Sequence, residues 1–84
     1  MEEYYTPPAD HVFEEIKSAA LEIWAGYDDT HGYASSKIRI VESCQNIRDN
    51  AWYIVAMFDY INQERLLEKV SPETAEQIRR ARGR

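Results

Sequence analysis

The chain is poor in the residues that staple or punctuate a small protein. Its 84 residues hold one cysteine, three glycines and three prolines. A lone Cys44 excludes an internal disulfide and any multi-cysteine metal site, which rules out a secreted disulfide scaffold and a zinc finger. Three glycines do not make a phosphate-cradling loop, and the sequence has no nucleophile elbow, dinucleotide fingerprint or His-Glu-x-x-His helix. Enzymatic activity, a metal and a cofactor are therefore not expected. No apolar run approaches the ~18 residues that cross a bilayer. The opening Met1-Glu2-Glu3 also lacks the basic and apolar pattern of a signal peptide. A cytoplasmic location without membrane contact is the resulting expectation.

Bases are scarce as well: ten against fifteen acids, for a net charge of −5. The imbalance is segregated. Residues 1–29 carry eight acids and a single base, Lys17; residues 30–70 are balanced; residues 71–84 carry two acids and four arginines. Direct nucleic-acid binding by the body is disfavoured, because it needs cations to neutralise phosphates. A basic surface on another protein is the partner such a patch attracts, over a screening length of ~8 Å.

Hydrophobic residues at 44% and charged residues at 30% are a globular composition, and the length allows one domain. A chain this short buries only ~60% of its unfolded surface. Without a disulfide, dense aromatic packing or self-association has to supply the missing stability. Two Trp, six Tyr and two Phe are available for it.

The spacing of apolar residues implies an all-α bundle. Residues 1–9 read as an irregular arm, since Pro7 and Pro8 block a helix and push Thr6 toward extended backbone; Tyr4 and Tyr5 lie in it. A first helix is expected from Ala9 or Asp10, with Asp10 as its N-cap, and Gly26 is expected to end it. Its stripe is Val12, Phe13, Ile16, Ala19, Ala20, Ile23 and Trp24, spaced by threes and fours. A loop over 27–35 follows.

A second helix is expected to begin after Ser35 or Ser36 and run to about Lys69, because neither Gly nor Pro interrupts it. Ile40, Cys44, Ile47, Ala51, Ile54, Phe58 and Ile61 form a heptad seam on it. Unbroken, it would be about 50 Å long at ~1.5 Å per residue. Asp49-Asn50 is its weakest point, where a kink would give two helices. A short third helix is capped by Ser71, opened by Pro72 and runs to Ile78. The single helical domain thus covers residues 10–78, with a frayed basic tail over 79–84.

The segment Ala51–Ile61 is apolar almost all round, and one short helix cannot cover both of its faces. Trp52, Tyr53, Met57 and Tyr60 are therefore the expected self-association stripe, and a homo-oligomer is expected. A buried Asp49, Asn50, Asp59 or Asn62 would set its register; otherwise these residues mark its solvent edge. Cys44 reads as a small buried hydrophobe and His11 as an exposed residue.

The second surface is the loop YDDTHGY. It combines Tyr27 and Tyr33 with Asp28, Asp29 and His31, and loops carry function more often than scaffold does. The two carboxylates would either orient the imidazole or hold a divalent ion, but no third ligand is spaced to join them. A protein contact or a hydrogen-bonded turn is the simpler reading. Together with Glu14, Glu15 and Glu22 on the first helix, these loop residues form an expected protein-docking surface.

The leading expectation is a small acidic non-enzymatic adaptor or inhibitor on a basic protein surface, its acids standing in for phosphates where that surface binds nucleic acid. By size and charge alone, it resembles the compact inhibitors of phages and mobile elements, such as anti-CRISPR proteins. The alternatives are a helical oligomer binding a nucleotide-like anion between Tyr27, Tyr33, Trp52 and Tyr53 with Arg39 or Arg48, and a structural assembly subunit.

Overall fold

The computed structural model describes residues 8–44 and 48–82. Tyr4, Tyr5, Ile47, Gly83 and Arg84 lie outside the described residues, as does most of the expected arm. Among the described residues the protein is all-α. Five helices follow one another: α1 (Asp10–Ala25), α2 (Tyr33–Cys44), α3 (Ala51–Ala56), α4 (Tyr60–Glu68) and α5 (Pro72–Arg82). Single 3-10 turns span Thr30–Gly32 and Arg48–Asn50. The radius of gyration is 12.2 Å, matching the ~12 Å of a compact chain of this length.

α1 is the spine. The other four helices all pack on it, and its buried residues are Val12, Phe13, Ile16, Ala19, Ala20, Ile23 and Trp24, the stripe read from the spacing. Its first intrahelical bond runs from Phe13 N–H to the Ala9 carbonyl at 3.0 Å. Ala9, with extended backbone, is thus the N-cap, and Asp10 is the first helical residue rather than the cap. Gly26 ends α1 in right-handed backbone at φ −86. The left-handed positions come later, at His31 (φ 57) and Gly32 (φ 73).

The continuous helix expected over 36–69 is not present. At about 50 Å it would exceed the molecule's longest dimension of 38 Å. The clearest interruption is at Met57–Asp59. α3 closes with Met57 N–H shared between the Tyr53 and Ile54 carbonyls, each at 3.2 Å. Asp59 then turns extended (ψ 174), and its side chain accepts from Asn62 N–H, starting α4. Asp59 is an N-cap inside an apolar run, a role its residue type favours. Gln63 Nε2 donates to the Phe58 carbonyl at 3.0 Å and to the Val55 carbonyl at 3.2 Å, the latter also accepting from Phe58 N–H at 3.2 Å.

The break resets the phase of the heptad seam. Cys44, Ala51, Ile54 and Phe58 are buried and Ile40 is half-buried, but Ile61 is 72% exposed. In α4 the inward positions are Asn62, Leu66 and Leu67 instead.

α2 starts at Tyr33, three or four residues earlier than expected. Asp29 reaches forward to accept from the Ser35 amide at 2.8 Å and the Ser35 hydroxyl at 2.5 Å, which supports a start at Tyr33. α5 begins as the sequence implies, with Ser71 Oγ accepting from Thr74 N–H at 3.3 Å, but it continues past Ile78 to Arg82.

α1 and α5 are joined by a carboxylate. Glu15 Oε1 accepts from Ser71 N–H at 2.8 Å, and Oε2 accepts from the Ser71 hydroxyl at 3.2 Å. The Ser71 amide is the main reason the Glu15 carboxyl is held below the usual carboxylate range, and partial burial opposes it. A carboxyl lowered in the folded state stabilises it above the group's ordinary pKa, and that stability is lost as pH falls through the lowered value. The melting temperature should therefore drop on acidification below the ordinary carboxylate range. Thermal melts of Glu15→Gln across the same pH series should show a shallower drop. An unchanged slope would remove Glu15 from this role.

Candidate functional site

Trp24, at the end of the α1 stripe, gathers two segments that are far apart in sequence. Its ring stacks on Phe58 at 4.7 Å and 16°, meets Tyr27 at 4.7 Å, and takes Tyr33 edge-on at 5.8 Å. Phe58 belongs to the α3–α4 break; Tyr27 and Tyr33 bracket the 27–33 loop. The two candidate regions of the sequence thus meet at one end of the bundle. Trp24 itself is 2% exposed, and its Nε1 has no acceptor among the described residues.

A polar junction lies over this aromatic centre. Asn62 Nδ2 donates to the Tyr27 hydroxyl and, at 3.0 Å, to Asp59 Oδ1. Asn62 N–H donates to the same Asp59 oxygen at 2.9 Å, and Arg65 Nη1 reaches Asn62 Oδ1 at 3.3 Å. Asn62 is buried and hydrogen-bonded on both ends of its amide, as a buried amide should be. Desolvation raises the Tyr27 phenol above its ordinary value, the Asp59 carboxylate and Tyr33 add to this, and Arg65 opposes it. Tyr27 therefore stays neutral and acts as a hydrogen-bonding strut.

Within the loop, Asp28 accepts from the Thr30 hydroxyl at 2.6 Å. Asp29 is held below the usual carboxylate range, first by the Ser35 hydroxyl and next by the Ser35 amide. His31 sits in left-handed backbone, and its side chain is exposed. Gly32, also left-handed, donates to the Asp29 carbonyl at 3.1 Å.

The expected docking residues therefore separate into three groups. Glu15, Tyr27 and Asp29 are engaged by other parts of the chain, Asp29 while remaining exposed. Glu14 pairs with Lys17 at 3.1 Å and Glu22 with Lys69 at 3.0 Å, both with carboxylates largely exposed. Glu14 lies twelve residues before Gly26, about 18 Å along α1, so it is remote from the loop. Asp28, His31 and Tyr33 are exposed at the Trp24 end.

Of the expected self-association residues, Tyr53 and Tyr60 are 58% and 69% exposed, whereas Trp52 and Met57 are half-buried against the core. The aromatics of the anion-binding reading are not one cluster within a chain. Tyr27 and Tyr33 flank Trp24, but Trp52 lines a different cleft, of about 110 Å³, with Val55, Ala56, Gln63 and Ala81. Arg48 is taken up by Asp10 at 3.4 Å and by the Pro8 carbonyl at 3.2 Å. Arg39 is exposed.

Cys44 is buried and its thiol lies 3.3 Å from the Ile40 carbonyl. His11 is exposed and pairs with Glu73 at 3.0 Å. Among the described residues no three His, Cys, Asp or Glu side chains gather to hold a metal ion, and no helix is long and apolar enough to cross a membrane.

Ile61 and the Asp59–Asn62 cap were not recognised as part of this surface from sequence. The available signal was an N-cap residue in mid-run, with an amide three positions later. No protein-family model, curated protein or solved structure matches the chain.

Replacing Asp59 by Ala removes the cap and should destabilise the fold by about 0.5–2 kcal/mol, while Asn, an equally good cap, should retain most of the stability. Urea unfolding of the two variants checks this, and equal losses would contradict the capping role.

Proposed function

We propose that the protein is a small non-enzymatic interaction module that docks on a basic surface of a larger protein through the Trp24 end of the bundle. The observation that carries this reading is the convergence of the 27–33 loop and the α3–α4 break. Together they leave Tyr33, Tyr60 and Ile61 largely exposed, on segments that also carry exposed Asp28 and Asp59. Exposed aromatic anchors ringed by polar groups are the usual composition of a protein contact. The net charge of −5 favours a cationic partner. An inhibitor that occupies a phosphate-binding surface is one form of this activity.

The test avoids Glu15 and Asp29, whose loss would disturb the fold. Basic proteins retained from lysate by the wild-type chain should be lost with Asp28→Asn combined with Tyr33→Ser and Tyr60→Ser. Their retention should also weaken as salt rises. Capture that is indifferent to these changes, with helicity intact by circular dichroism, would defeat the proposal.

A second reading, self-association, is favoured by Tyr53, which is on α3 and remains 58% exposed. Sedimentation equilibrium should then give a dimer or larger species that Tyr53→Ser dissociates. A strict monomer near millimolar concentration would eliminate it.

A further inference from the structure

We draw no further inference here: the strongest candidate, the exposed apolar surface of α3 and α4 at Tyr53, Tyr60 and Ile61, carries none because nothing in the structure shows what covers it.

Discussion

Trp24 must be covered on more than one side, and no single straight neighbour covers an indole that way. The ring is stacked by Phe58 from the α3–α4 break and flanked by Tyr27 and Tyr33 from the loop after its own helix. A helix running straight from Ser36 to Lys69 would carry the later residues past this site in one direction. Interrupting it at Met57–Asp59 turns α4 back onto α1. A helix break leaves carbonyls and amides without partners, which is unfavourable when they are removed from water. Asp59 answers the Asn62 amide and Gln63 the Phe58 carbonyl, so aromatic packing and capping support the same turn.

The acids also acquire a different meaning once they are placed. Read as a run, residues 1–29 form a uniformly negative surface. In three dimensions Glu15 caps α5, Asp29 caps α2, and Asp10, Glu14 and Glu22 face Arg48, Lys17 and Lys69. Exposed pairs of this kind add little stability each, about 0–1 kcal/mol. They do, however, lower the local charge density. The proposed docking end depends on fewer carboxylates than the composition suggests, and more on tyrosine.

The two ends of the molecule differ in construction. Around Trp24, aromatic rings and the Asn62 junction link α1, the loop and α4 into one unit. At α5 the links are the Glu15 cap on Ser71, the Glu73–His11 pair and the buried Thr74, Ala75 and Ile78. The packing around Trp24 would serve the proposed docking surface, since side chains already ordered lose less freedom on binding.

The sequence by itself determined what depends on neighbours along the chain. The α1 stripe was legible down to each buried residue, because a period of three and four defines one face of a helix. Ser71-Pro72 marked the start of α5, since a cap and a first-turn proline act within a few bonds. The all-α class followed from the same periodicity, and the turn after Gly26 from its turn formers. Only the tertiary structure decided the rest. The break at Asp59 was hidden because an Asp within an apolar run is equally compatible with a continuing helix, and packing against Trp24 selects the cap. The exposure of Ile61, the burial of Asn62 and the roles of Glu15 and Asp29 all follow from partners 6 to 56 residues away. Periodicity carries no information about contacts of that kind, because they exist only once separate helices have been brought together.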